Sequence, residues 1–146
     1  MTRLLALAAL CALAACAPDA EKEASAAVSP PAPQFGEKAP AGTMPFAARG
    51  TFLETADGAS DPADCSAPGD ADKLITVDET GYALGNRSGR LAAVETQSTN
   101  SIYATFDTDE GEARERFAAS DEGRTLRRST IGPEAVTTRY RRCPDA

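Results

Sequence analysis

The chain has 146 residues, of which 42% are hydrophobic and 5% aromatic, and it contains neither tryptophan nor histidine. Without histidine, Ser-His-Asp and Cys-His catalysis and the usual histidine-based metal sites are excluded. A net charge of −7 argues against nucleic acid as a partner. So few aromatic residues predict a thin core, and small domains of this kind often need a covalent staple.

The first residues predict an export signal over residues 1–15. Arg3 supplies a positive charge, an apolar run follows through residues 4–13, and Ala14 and Ala15 precede Cys16. This order is typical of a secretory signal peptide, and the run is shorter than the ~20 residues that a membrane-spanning helix needs. An ordinary signal peptide followed by an incidental cysteine is the alternative to a lipidation signal.

The segment 13–16, Leu-Ala-Ala-Cys, resembles the lipobox of bacterial lipoproteins. The resemblance implies that Cys16 carries a diacylglyceryl thioether, that cleavage occurs directly before it, and that its new amino group is acylated. Stable membrane anchoring requires two or more such chains. Ala17 and Pro18 follow Cys16, so the resemblance further implies an outer-membrane location facing the periplasm.

Residues 16–44 form the predicted tether, which comprises lipidated Cys16 and an Ala/Pro-rich segment. Its prolines remove backbone donors and favour extended geometry. Few bulky apolar residues are present to offset the entropy of ordering the chain. The sequence therefore predicts a disordered spacer here and a small β-domain over residues 45–146.

The domain is predicted to be all-β, because short β-type runs alternate with glycine-containing turns. The run 113–118 also fits a short helix, and 86–89 is predicted to be a turn. Such spacing predicts an antiparallel meander of about seven or eight strands that closes into a barrel or sandwich. The predicted strands cover 49–53, 73–78, 82–85, 90–96, 101–107, 113–118, 124–130 and 135–142.

Alternating residues predict which strand faces point toward the core. In one run the shared face comprises Ile102, Ala104 and Phe106. In the last run it comprises Val136, Thr138 and Tyr140.

Two further cysteines, Cys65 and Cys143, remain beyond Cys16. An even pair in an exported domain predicts a disulfide, which would join the loop after the first strand to the end of the last strand. In a closed meander those strands are neighbours. A redox or metal pair is the alternative, although the spacing lacks a C-x-x-C motif.

The arrangement of lipobox, tether, first-strand Phe, loop Cys65 and terminal 140–144 Tyr-Arg-Arg-Cys-Pro resembles a group of small alphaproteobacterial lipoproteins. The resemblance implies one β-domain and assigns no activity.

Charge is distributed unevenly along the chain. Residues 113–142 carry eight arginines against four acids, or +4, whereas residues 17–112 carry six basic and 17 acidic groups, or −11. Arginines in the last two predicted strands form a candidate partner-binding patch, with pairing to neighbouring acids as the alternative. The patch comprises Arg127, Arg128, Arg139, Arg141 and Arg142.

The acidic run 107–112 is a candidate cation loop. It lacks the EF-hand spacing, so a solvated hairpin turn is the favoured interpretation, and no metal or cofactor site is predicted. Ser88-Gly89 is similar to a Ser-Gly element of small periplasmic lysozyme inhibitors, which are also disulfide-bonded β-barrels.

The sequence favours a non-enzymatic binding or structural role for a lipid-anchored envelope protein. The expected contacts are the membrane, through the lipid on Cys16, and an envelope protein. Inhibition of lysozyme-type peptidoglycan hydrolases is the second hypothesis. No residue pattern points to a catalytic site or to a nucleic-acid partner.

Overall fold

The structure is a computed structural model, and it describes residues 35–56, 61–62, 65–67 and 69–144. These residues form eight β-strands, with single 3-10 turns at Phe46–Ala48, Ala71–Lys73 and Asp121–Gly123. No helix among them is both long and apolar enough to cross a membrane. The strands are β1 Gly50–Glu54, β2 Leu74–Val77, β3 Gly81–Leu84, β4 Arg87–Gln97, β5 Ser101–Thr108, β6 Gly111–Ser120, β7 Thr125–Thr130 and β8 Thr137–Arg142.

The eight strands form one closed antiparallel barrel, as predicted. Each strand pairs with the next along the chain, and β1 closes the sheet by pairing with β8. At the closure Phe52 lies opposite Arg142 and Leu53 opposite Arg141. Closure satisfies both edges of the sheet, which would otherwise expose unpaired backbone groups.

The barrel interior is filled by side chains at alternate positions of the strands. Ile102, Ala104 and Phe106 are at most 1% exposed, so the predicted inward face of β5 is confirmed. Three aromatic rings pack together in the centre, with centroids 5.3–5.4 Å apart, and they compensate for the scarcity of aromatic residues. These rings belong to Tyr82, Phe106 and Phe117.

Three local predictions are resolved or corrected. The run 113–118 lies within strand β6 and is not a helix. The predicted turn at 86–89 is wrong, because only Gly85 and Asn86 connect β3 to β4; Gly85, with φ +56°, allows this two-residue connection. Val136 lies before β8 and is 60% exposed, so it does not share the buried face of Tyr140.

One end of the barrel is covered by residues 39–48. Ala39 and Met44 are at most 2% exposed, and Met44 N–H donates to the Glu79 carbonyl over 2.9 Å. The Gln97 side chain accepts from Gly42 N–H and donates to the Pro40 carbonyl, at 3.2 and 3.0 Å. The packed part of the chain therefore begins before residue 45, where the sequence had placed the domain boundary.

The cysteines predicted to pair lie at bonding distance. The sulfur atoms of Cys65 and Cys143 are 1.98 Å apart and the Cα atoms 5.8 Å apart. Cys143 N–H also donates to the Thr51 carbonyl of β1. The bridge therefore fixes the loop before β2 to the seam at which the barrel closes.

Candidate functional site

A cavity of about 690 Å³ lies at the other end of the barrel, between the β3–β4, β5–β6 and β7–β8 connections. We call it the mouth cavity. Its volume falls within the range of small-molecule sites in proteins. Its lining comprises Tyr82, Leu84, Asn86, Arg87, Ser88, Thr108, Asp109, Glu110, Ala113, Glu115, Arg128, Thr130, Glu134 and Val136.

The inner wall of the mouth cavity contains a buried ion pair joined to a tyrosine. Arg128 Nε–H donates to Glu115 Oε2 over 2.7 Å, and Arg128 Nη2 donates to Glu115 Oε1. Tyr82 O–H donates to the same Oε1 over 2.9 Å and lies 3.1 Å from Arg128 Nη2. Glu115 is 1% exposed, whereas the Arg128 side chain is 17% exposed. Both carboxylate oxygens are thus satisfied, as a buried charge requires.

Strand alternation places these residues in the interior. In β6 the inward positions are Ala113, Glu115, Phe117 and Ala119, so Glu115 is the one charged member of an otherwise apolar row. Arg128 lies on the adjacent strand, diagonally across from Glu115. Glu115 was not predicted as a site residue, although an acid within an apolar alternation was the available signal.

Tyr82 occupies its position because β4 has a glycine directly opposite. Gly89 pairs with Tyr82, and a Cβ at Gly89 would collide with the Tyr82 ring. The guanidinium of Arg128 also lies 4.9 Å from the centroid of that ring. Gly89 therefore allows the phenol to lie flat against β4 and to reach Glu115.

Burial and the neighbouring charges shift the pKa values of Tyr82 and Arg128. Burial, followed by the neighbouring Glu115 charge, raises the pKa of Tyr82 to about 12. Burial alone would lower the pKa of Arg128, but its hydrogen bonds and charge attraction to Glu115 outweigh that effect and raise it. Burial also raises the pKa of Tyr140. At neutral pH the inner wall therefore offers a neutral phenol and an ion pair without net charge.

The outer part of the mouth cavity is acidic. Asp109, Glu110 and Glu134 contribute three negative charges, and Arg87 contributes one positive charge, 3.9 Å from Glu110. With the internal Glu115–Arg128 pair, four acids and two bases line the cavity, a net charge of −2.

The acidic run 107–112 forms the tip of the β5–β6 hairpin, with the turn at Asp109 and Glu110, as the sequence favoured. Thr108 Oγ1 donates to the Gly111 carbonyl over 2.7 Å and accepts from Glu110 N–H over 3.2 Å. No group of three or more potential metal-ligating side chains occurs among the residues that the structure describes.

The structure does not gather the five candidate arginines onto one surface. Arg128 points into the barrel, and Arg142 also turns inward, where its guanidinium lies 4.5 Å from the Phe52 ring centroid. Arg141 contacts Asp61 and Asp121 at 3.4 and 3.6 Å. Arg127 and Arg139 lie opposite each other on the outer face of β7 and β8. The predicted patch is therefore divided between the interior and the outer wall.

The predicted lipidation residue Cys16 lies outside the described residues, as do residues 17–34 of the tether. Comparison with known proteins adds no assignment: no family model, no curated protein and no solved structure matches this chain.

Proposed function

We propose that this protein is a lipid-anchored protein of the cell envelope that binds a small molecule in the mouth cavity. Cys16 would hold it at the periplasmic face of the outer membrane. The observation that carries the binding role is the cavity of about 690 Å³ whose inner wall presents a satisfied Glu115–Arg128–Tyr82 group. A few fixed polar groups within a concave, partly apolar surface are typical of ligand sites.

The charges of the cavity indicate the class of ligand. The inner wall carries no net charge, and the rim carries a net charge of −2. Leu84, Ala113 and Val136 add apolar surface. The site therefore favours a neutral or cationic amphipathic molecule and disfavours an anion.

A binding role fits the chemistry of the inner wall better than catalysis. Glu115 accepts hydrogen bonds at both oxygens, so it is held as an ion-pair partner and not as an available base. The Tyr82 phenol is protonated at neutral pH, and burial raises its pKa further, to about 12. Both residues therefore act as fixed hydrogen-bonding groups.

The proposal is tested by extracting the native protein gently from the envelope and identifying co-purified small molecules by mass spectrometry. Ala113→Phe narrows the cavity from within, whereas Ala93→Phe adds the same ring on the exposed side of β4. We expect the wild type and Ala93→Phe to retain the ligand and folded Ala113→Phe to lose it. Equal retention by both variants would place the ligand elsewhere.

A second candidate, inhibition of a lysozyme-type hydrolase, is favoured by the acidic rim, because lysozymes are cationic. We propose that the turn carrying Asp109 and Glu110 would contact the enzyme, next to Ser88. Stoichiometric inhibition should disappear in Asp109→Lys/Glu110→Lys and persist in Glu122→Lys at the opposite end. A lack of inhibition by the wild type would eliminate this candidate while leaving small-molecule binding open.

A further inference from the structure

The outer face of β5–β8 carries three adjoining clefts, which we call the wall groove. The first, of about 310 Å³, is lined in part by Tyr103, Ile131 and Arg116. The second, of about 250 Å³, shares Arg116 with the first and adds Arg127. The third, of about 460 Å³, shares Arg127 with the second. Arg116 and Arg127 thus each line two adjoining clefts.

Arg116 and Arg127 differ from their neighbours in their pairing. Among the described residues, Arg114 pairs with Glu95 and Arg141 with Asp61 and Asp121, but no acid lies within 4.0 Å of Arg116 or Arg127. Both are exposed. Two unneutralised cations on adjacent strands repel each other, and an anion between them would relieve that repulsion.

Polar and apolar groups are ordered along the wall groove. Between the two arginines, the hydroxyls of Ser129 and Thr137 lie 2.9 Å apart and both line the second cleft. The exposed apolar residues Ile131 and Val136, 44% and 60% exposed, lie together at one end, because Thr130, next to Ile131, donates its N–H to the Val136 carbonyl. A ligand along the groove would meet one apolar end, then Arg116 and then Arg127.

The spacing of the arginines matches an extended polypeptide. Arg116 pairs with Ser129, two residues from Arg127, so the two arginines are diagonal neighbours. Diagonal neighbours lie about 7–8 Å apart. In an extended chain, every second side chain points the same way, at a repeat of about 6.6–6.8 Å. Two acids separated by one residue would therefore reach both arginines.

We propose that the wall groove binds an extended acidic peptide segment of a partner protein. Alternate carboxylates contact Arg116 and Arg127, and an apolar side chain at one end of the segment covers Ile131 and Val136. The concave shape favours a chain over a lipid bilayer, because a flat bilayer surface does not enter a cleft. Glu54 in the third cleft and Glu134 in the adjoining loop limit the acidic stretch to the centre of the groove. Arg116 and Arg127 do not line the mouth cavity, although Val136 lines both surfaces.

The test uses the full lipidated protein in an uncharged detergent and a fluorescent peptide with glutamates at alternate positions and a leucine at one end. We expect saturable binding that weakens with added salt, as surface charge pairing does. Arg116→Glu/Arg127→Glu should weaken binding at least tenfold. The matched control is Arg90→Glu on exposed β4, which should bind as the wild type does, as should Ala113→Phe in the mouth cavity.

Three results would overturn the proposal. The first is equal binding of a peptide with glutamines in place of the glutamates. The second is unchanged binding by the double variant when its melting temperature and circular dichroism match those of the wild type. The third is that no peptide binds while vesicles containing anionic lipid bind the protein through Arg116 and Arg127, which would assign the surface to the membrane.

Discussion

Glu115 is the residue on which the inner wall of the mouth cavity depends most directly. It is almost fully buried, and its two oxygens accept hydrogen bonds from Arg128 and Tyr82. A buried pair of this kind adds little stability compared with apolar residues, but loss of one member leaves the other charge uncompensated. Removal of one partner should therefore lower the free energy of unfolding more than removal of both partners does.

Glu115→Leu should lower the free energy of unfolding by about 3–5 kcal/mol, because Arg128 then remains without its counter-charge. Glu115→Leu/Arg128→Leu should be less destabilised than the Glu115→Leu variant, because both charges are gone. Urea denaturation of the wild type, Glu115→Leu, Arg128→Leu and the double variant measures the coupling energy between the two side chains. Strictly additive effects would show that the two side chains do not stabilise each other.

The raised pKa of Tyr82 predicts that the free energy of unfolding falls at alkaline pH. Folding raises the pKa of this phenol from about 10, its ordinary value, to about 12, so the folded state retains the proton longer than the unfolded chain. Its contribution is therefore complete below about pH 10 and declines as the pH rises toward 12. Denaturation across that interval, together with phenolate absorbance, measures the effect, and Tyr82→Phe should flatten the decline. An equally steep decline in Tyr82→Phe would assign it to other groups.

At the scale of elements, β3 can pack closely against β4 because Gly89 of β4 has no side chain. Tyr82 lies against Gly89, where a Cβ would overlap its ring. β4 therefore contributes backbone, not a side chain, to this part of the interior. The ring can shift only by disturbing Glu115 and Arg128.

Gly89→Ala should destabilise the barrel by about 1–3 kcal/mol, as overpacking of a filled interior does. It should also displace the Tyr82 hydroxyl and weaken any ligand binding in the mouth cavity. Arg90→Ala, at the exposed neighbouring position, should change stability by less than about 0.5 kcal/mol. Thermal melts of both variants provide the comparison, and equal effects would contradict the proposed role of Gly89.

The elements could be predicted from sequence more completely than the site. Regular alternation, as in Ile102, Ala104 and Phe106, and glycine-containing turns were sufficient for strand number and closure. Glu115 was missed because hydrophobic alternation shows which way a side chain points. It does not show which strand supplies the charged partner of that side chain. The same limit applies to the arginines: Arg127 and Arg128 are consecutive, so they occupy opposite faces, and Arg116 joins Arg127 only through the register of β6 and β7.

At the scale of the whole molecule, the proposed anchor and the barrel are separate features. Strands and cysteines within residues 50–143 form the closed barrel and its covalent bridge. Its fold and its location should therefore respond to different mutations.

Cys16→Ser should leave the barrel intact and either release the protein from the membrane fraction or leave an uncut precursor. The reason is that only a thiol accepts the diacylglyceryl group implied by the lipobox resemblance. Membrane fractionation with mass determination of the processed chain measures both outcomes. Normal processing and full membrane retention of the variant would contradict the anchoring proposal.

The position of the disulfide has a mechanical consequence. The Cys65–Cys143 bond encloses β2–β8, whereas β1 ends at Glu54, before the covalent loop begins. A pulling force between Phe35 and the chain's other end can therefore extract only β1 and its flanking segments, while the other seven strands stay within the covalent loop. The 31 residues from Phe35 to Cys65 would span at most about 110 Å when fully extended. The barrel would open reversibly by losing the pairing of β1 with β2 and β8. Both of these strands stay in the covalent loop, so β1 can pair with them again when the force is removed.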